Sequence, residues 1–396
     1  MPDKHAYLSA SSAERWIHCP GSARVATLFP ESRSPVADEG TLAHELAATM
    51  IQYNAEQIGK VEYEATTARI RDKVEKFYAE HTDLKGSFEV MQKILEPYIT
   101  YVWEEHQAAI KADAAAVIMT EQRVSFEKYV PEGFGTSDVV IIGGGKATII
   151  DLKYGKGVPV SAVGNPQIRL YALGAIDAYD ILYDFDTVKL VIYQPRKDSV
   201  TDEEMSVKEL QDWAEKVVAP AAKEAAGDNA PCHAGPWCDS HFCPAAGSCK
   251  ARAEYILEIE RHSGKDPALL SDEELGDVLK RLDSLQSFTK KVQDYALNSI
   301  DHGHPIKGWK IIEGQSRRTY KDPDAVAAAA IKAGYKEALL YERNLIGITK
   351  MEDLMGKKEF EKVLGGLVIK PAGKPKLAPE SDPHPAFNSA ASDFAD

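Results

Sequence analysis

Residues 136–153 read TSDVVIIGGGKATIIDLK, two apolar runs on either side of a glycine turn. β-Branched residues dominate both runs, and paired glycines between them supply the positive φ that a tight hairpin turn needs. With the turn centred on Gly144 and Gly145, Val139 faces Ile150 and Asp138 faces Asp151. Like charges opposed on neighbouring strands destabilise the pair unless something positive lies between them, and a divalent cation is the common solution. Side chains alternate along a strand, so Lys153 shares a face with Asp151, and that face collects two acids and one base. The set suits phosphodiester hydrolysis, with acids to hold Mg²⁺ or Mn²⁺ and a lysine to neutralise developing charge. A D-x-K triplet is also common by chance, and solvated strand-end acids with a surface lysine fit these three residues as well.

Working outward, EQRVSF at 121–126 precedes the hairpin, and TVKLVIYQ at 187–194 follows it as a further strand. Between them Asn165 and Pro166 open a helix through Tyr179, with Asn as N-cap and Pro at the first helical position. The order β-β-β-α-β, with helices before and after, gives an α/β core with a mixed sheet. The first third is mostly helical. Ser11 and Glu14 read as a capping box for a helix over Ser12–His18, stopped by Pro20-Gly21 so that Cys19 stands at its exit. A helix from about Gly40 and Thr41 carries His44, Glu45 and Ala48, and apolar spacing predicts helices over 67–81 and 87–115.

Beyond the core come a helix over 206–226, a cysteine-rich segment and a helix from about 249. A charged amphipathic helix over 271–302 follows, with Leu275, Val278, Leu279, Leu282 and Leu285 on one face. The expected organisation is a core over 1–260, a helical arm over 261–304, a small α+β appendage over 305–370 and a disordered, Pro/Ser/Ala/Asp-rich tail over 371–396. Among 396 residues, 44% are hydrophobic and 27% charged, values that suit a globular protein. No apolar run approaches a membrane span and the start lacks a secretory pattern, so no membrane partner and a cytoplasmic location are expected. A net charge of −14 argues against a protein that coats nucleic acid without specificity, and leaves a local binding cleft open.

GTLAHE at 40–45, GTSD at 135–138, DLK at 151–153 and QIRLY at 167–171, in that order, resemble the PD-(D/E)XK nuclease superfamily in its RecB-like branch. More closely, the whole chain resembles a phage and prophage family of that branch that brings no activity assignment of its own. The resemblance implies a restriction-endonuclease-like core with a mixed central sheet flanked by helices. It implies His44, Asp138 and Asp151 as metal ligands, with the Leu152 carbonyl as a fourth, and Lys153 as the catalytic lysine. Gln167 and Tyr171, one helical turn apart, would position substrate and support the site. Taken singly, His44 fits a core histidine, Glu45 a solvated helix residue, and Gln167 with Tyr171 simple amphipathic packing. The implied activity is Mg²⁺- or Mn²⁺-dependent hydrolysis of DNA in a bacterial host cell, as an exonuclease by analogy with relatives. The implied setting is phage recombination or DNA processing beside a phage recombinase or single-strand annealing protein. A non-catalytic DNA-end-binding or scaffold subunit is the reading from a different class.

Four of the five cysteines, Cys232, Cys238, Cys243 and Cys249, fall within eighteen residues, a clustering that favours metal ligation over disulfides in a reducing compartment. Iron–sulfur nucleases of the same branch imply a [4Fe–4S] cluster on Cys19, Cys238, Cys243 and Cys249. The C-x4-C-x5-C spacing departs from the C-x2-C usual there. A local zinc site on Cys232, Cys238, Cys243 and Cys249, with His233 and His241 as substitutes, is the alternative. Lys153, Lys156, Arg169, Arg196 and Lys197, with Tyr154 as an aromatic, suggest a local DNA track. Gly143-Gly144-Gly145-Lys146 lacks the Walker spacing and reads as a turn.

Overall fold

The computed structural model describes residues 6–30, 34–157, 159–240, 243–258, 271–310 and 348–368, with 325, 328, 331 and 332. The hairpin pairs β2 (Phe134–Gly143) antiparallel with β3 (Lys146–Leu152), Gly143 facing Lys146 and Val139 facing Ile150. Gly144 and Gly145 have φ of 60° and 74°, the two positive values of a type I′ turn. β1 (Val117–Ser125) lies antiparallel on β2, β4 (Thr187–Gln194) parallel on β3, and β5 (Ser199–Ser206) antiparallel on β4. The parallel step needs a crossover, and α6 (Pro166–Tyr179) supplies it. Its first turn is fixed as its sequence demands, with Asn165 accepting from the amides of Gln167 and Ile168 and Pro166 following.

Both faces of this five-stranded mixed sheet are covered. On one, Val140, Ile149 and Leu190 pack with Leu170 and Leu173 of α6, Trp16 of α1 (Ala13–His18) and Leu210. Leu210 lies in α7 (Val207–Trp213), which runs through a wider π turn at Ala214–Val218 into α8 (Ala219–Ala225). On the other face, Ile141, Ile150 and Val191 pack with α3 (Pro35–Asn54), α4 (Lys60–Glu80) and α5 (Phe88–Ala112) through Leu46, Ile70 and Leu95. Burial on both sides is why the strands read as unbroken apolar runs instead of alternations.

Several boundaries depart from expectation. α3 begins at Pro35, five residues before Gly40, because Ser34 caps the Ala37 amide and Pro35 presets the first turn. The Ser11–Glu14 capping box does not form. Ala10–Ser12 is a 3-10 turn, and Glu14 pairs instead with His18 at 3.1 Å. α2 (Gly21–Ala26) starts straight after, so Cys19 and Pro20 make the whole junction. β5 carries the sequence SVTDEEMS, and as a strand paired on one side only it needs few apolar residues.

Downstream, α9 (Trp237–Ser240) and α10 (Lys250–Leu257) frame the cysteine segment. α11 (Asp272–Asp301) opens with a Ser271–Glu274 capping box and is bound to that segment through Asp239, which accepts from Arg252, Ser287 and Lys291. The chain divides into two compact units, Met1–Ile311 and Ile312–Asp396. The described part of the second holds α12 (Ile348–Met355) and α13 (Lys357–Leu364). Most of the expected α+β appendage, and the tail over 371–396, lie outside the described residues. No helix among the described residues is long and apolar enough to cross a membrane.

Candidate active site

Asp138 lies one step along β2 from the Val139–Ile150 pair and therefore faces Asp151. Asp138 Oδ1 meets His44 Nδ1 of α3 at 3.1 Å, and its Oδ2 accepts the Leu152 amide at 2.7 Å. Asp151, 3% exposed, holds Lys153 Nζ at 2.9 Å from Oδ2 and accepts Gln167 Nε2 on Oδ1 at 3.3 Å. Lys153 also donates to Gln167 Oε1 at 3.0 Å, and Gln167 donates to the Tyr171 hydroxyl at 3.2 Å. The six expected side chains therefore form one group in two adjoining sets, His44 with Asp138 and Asp151 with Lys153, Gln167 and Tyr171, drawn from α3, β2, the end of β3 and α6. Leu152 enters it through its amide.

Gly135 has a steric reason. A Cβ there would stand 2.6 Å from Tyr171 Cε1, so the glycine of GTSD lets the tyrosine ring lie against β2. Glu45, next to His44, turns away to Lys73 at 2.7 Å and Arg69 at 3.4 Å, which makes it a surface tie between α3 and α4.

Charge governs the protonation of the group. Burial opposes ionisation of Asp138, but His44 and the Leu152 amide outweigh it and hold the carboxyl below its ordinary value. For Asp151 burial prevails over Lys153, with Asp138 adding to it, and its pKa is raised. Burial works against charge on His44 and on Lys153 too. Asp138 overrides it for His44, pushing the imidazole up to about 9, and Asp151 overrides it for Lys153, which stays an ammonium.

Glu121 was missed in the sequence. Thr120 faces Val139 and Gln122 faces Ser137, which leaves Glu121 opposite Asp138. Its side chain reaches solvent, yet partial burial of the carboxyl and then the Asp138 charge push it up to about 7. A carboxylate in EQRVSF gave no signal by itself, because the segment between Ser125 and Phe134 does not fix which residues pair.

Two arginines of the expected DNA track are paired within the fold. Arg196 makes a two-pronged pair with Glu39 at 2.6 and 2.8 Å, has a side chain 7% exposed, and lies 4.2 Å above the ring of buried Tyr154. Arg169 binds Glu203 in the same way at 2.7 and 3.1 Å. Bidentate pairing uses the donors a phosphate would need, so both arginines serve the fold. Lys156 is exposed and Lys197 half-buried.

The cysteine segment folds back onto the start of the chain. Gly21 donates its amide to the Pro231 carbonyl at 2.7 Å, and Cys19 Sγ accepts the His233 amide at 3.3 Å. Cys232, outside the expected set of four, lies close to Cys19, and Cys238, Cys243 and Cys249 lie near enough to interact electrostatically with them or with one another. Burial raises the Cys19 thiol to about 11, and raises Cys232, Cys238 and Cys243 as well. None of the five forms a disulfide. His233 contributes a backbone amide, and His241 lies outside the described residues.

A family model described as "Protein of unknown function (DUF2800)" matches residues 5–385. Among solved structures, one described as "Crystal structure of SSO0001" is 17% identical and covers 46% of this chain and 82% of its own, with a TM-score of 0.22, a similarity too loose to bear on the fold.

Proposed function

We propose that this chain, which belongs to the DUF2800 family, is a divalent-metal-dependent DNA nuclease with a restriction-endonuclease-like core of the PD-(D/E)XK type, in the RecB-like branch. One observation carries the reading. His44, Asp138, Asp151, Lys153, Gln167 and Tyr171 come from separate elements and converge on two opposed carboxylates, Asp151 buried and Asp138 partly exposed, through hydrogen bonds and an ion pair. Two carboxylates, an imidazole and the Leu152 carbonyl make a donor set that fits Mg²⁺ or Mn²⁺.

When bound, the cation supplies Lewis-acid polarisation of a phosphoryl oxygen and acidifies a water. The chain's own groups do the rest. Lys153 is held by Asp151 and Gln167 and stays protonated, so it acts as a fixed positive donor toward the phosphoryl oxygens as charge develops there. Gln167 is anchored in turn at the Tyr171 hydroxyl, which fixes Lys153 and Asp151 with respect to α6. Asp138 orients the His44 ring. Water attacking phosphorus in line leaves a 5′-phosphate and a 3′-hydroxyl. Action from DNA ends, in phage recombination or DNA processing beside a recombinase or single-strand annealing protein, follows from the resemblance to RecB-like nucleases.

The proposal includes a [4Fe–4S] cluster held by Cys19, Cys238, Cys243 and Cys249. Tetrahedral zinc, with bonds of about 2.3 Å to sulfur, would set its thiolates about 3.8 Å apart. Among the described residues no three cysteine sulfurs lie within 4.8 Å of one another. Four thiolates, one on each iron, are the donor set that such a cluster takes.

The test is digestion of end-labelled linear single- and double-stranded DNA with Mn²⁺. Wild type should degrade it, and Asp151→Asn should fall by about 10³-fold or more, the scale of losing a principal electrostatic contributor. Binding of DNA ends without degradation would leave a non-catalytic end-binding subunit in place of the nuclease.

A further inference from the structure

α11 is thirty residues long, and among the described residues it is held from one side. Arg281 donates to Glu258, the Arg252 guanidinium lies 5.2 Å from the centre of the Phe288 ring, and Ser287 and Lys291 donate to Asp239. The helix lies so close to the cysteine segment that a Cβ on Gly247 would stand 2.4 Å from the Lys291 carbonyl. At 100° per residue, positions 281, 287, 288 and 291 fall within about a third of the circumference, so these contacts fix which way the helix is turned. The apolar stripe is centred about 130° away from them. In it Leu275, Leu282 and Thr289 recur every seven residues, and so do Val278, Leu285 and Val292. These are the two interleaved series of a heptad repeat, the period at which one helix packs along another. None of the six carries a charge. Leu275, Leu282 and Val292, with Leu279 beside them, are between 37% and 46% exposed. One exposed leucine is ordinary, whereas an uncharged row at this period marks a surface that another helix covers.

We propose that this stripe of α11 is the interface of a homodimer, in which the helices of two copies pair antiparallel. Charge selects both the occupant and the direction. Asp272, Glu273 and Glu274 crowd the first turn, and Lys290 and Lys291 stand about five turns further on. Parallel pairing would set the acids of the two copies together. Antiparallel pairing stacks Leu275 on Val292, Val278 on Thr289 and Leu282 on Leu285, each contact made twice. It also lays the acidic first turn of each copy along the turns that carry Lys290 and Lys291 in the other. A helix whose apolar row and charges both match their own reverse is self-complementary about a two-fold axis, and a second copy of this chain is the partner it fits. The inference does not depend on the nuclease reading.

The test is light scattering after gel filtration of the full-length protein, over about a hundredfold range of concentration, with carbodiimide cross-linking and peptide mapping beside it. Wild type should show twice the mass of one chain, and cross-links should join Lys290 or Lys291 to Asp272, Glu273 or Glu274. Residues 274 and 290 lie about 24 Å apart along one helix, so such a link can only join two copies. Leu282→Glu combined with Leu285→Glu should give a monomer that keeps its helical circular dichroism. A wild type that stays monomeric, or a dimer that survives the double substitution in a folded protein, overturns the proposal. A dimer without the lysine-to-acid links overturns the antiparallel pairing. Should the double variant misfold, Leu275→Glu at the end of the stripe should raise the dimer dissociation constant by about tenfold or more, and an unchanged constant counts against the interface. A monomer in which the stripe cross-links to residues 312–396 would assign this face to the chain's own second unit, which equally overturns it.

Discussion

Gly135 is the residue on which the geometry of the site turns, although it carries no charge. A methyl group there would stand 2.6 Å from Tyr171 Cε1, so the ring would have to move and take its hydroxyl away from Gln167. Overpacking of this kind costs about 1–3 kcal/mol, and a displacement passed on to Gln167 loosens Lys153 and Asp151. Gly135→Ala should therefore lower DNA degradation by about tenfold or more while leaving a folded protein, checked by digestion rates beside thermal unfolding. Full activity would show that Tyr171 does not position the site. Asp138, Asp151 and Lys153 were legible because two glycines fix the turn, and the turn fixes the register. Glu121 was not, because β1 reaches β2 through a longer connection that leaves the pairing unspecified. Arg196 misled for a related reason: a charge in sequence says nothing about the Glu39 carboxylate waiting for it.

At the level of elements, α3 matters most because it brings His44 to the sheet. It is fastened at its first turns by Glu39, 3% exposed, which accepts two bonds from Arg196 at the exit of β4 and one from Tyr78 of α4 at 2.7 Å. Burial pushes the Glu39 carboxyl up, and the Arg196 and Tyr78 bonds outweigh it, so its pKa lies below the ordinary 4.5. A carboxylate depressed by folding stabilises the native state fully above its unfolded pKa, and that contribution is lost as pH falls through the folded value. Glu39→Gln should cost about 3–5 kcal/mol at neutral pH, because it leaves a buried guanidinium without its counter-charge. In thermal unfolding scans the gap between wild type and Glu39→Gln should then narrow as pH drops below 4.5. A gap independent of pH would sink the account. The helix itself is legible in the sequence, but Gly40 reads as its boundary while the capping chemistry lies at Ser34-Pro35.

On the scale of the molecule, the mixed sheet with helices on both faces follows from unbroken apolar strands and one crossover helix, all readable in advance. The seam between the first helices and the cysteine segment was only half readable. The clustering of four cysteines is plain in the sequence, while the nearness of Cys232 to Cys19 depends on a Gly21–Pro231 contact that no local pattern encodes. Protein purified without oxygen should carry iron and sulfide and absorb visible light, and Cys19→Ala should lose both the colour and the iron. A colourless, zinc-containing wild type would overturn the cluster. The seam also bears on mechanics. Cys19 and His233, 214 residues apart in sequence, are joined across it, and the whole five-stranded sheet lies between them in the chain. The bonds that close it, from the Gly21 amide to the Pro231 carbonyl and from the His233 amide to Cys19 Sγ, make the segment between them a closed loop of chain, so opening this seam would release both ends of the segment that carries Asp138 and Asp151 at once.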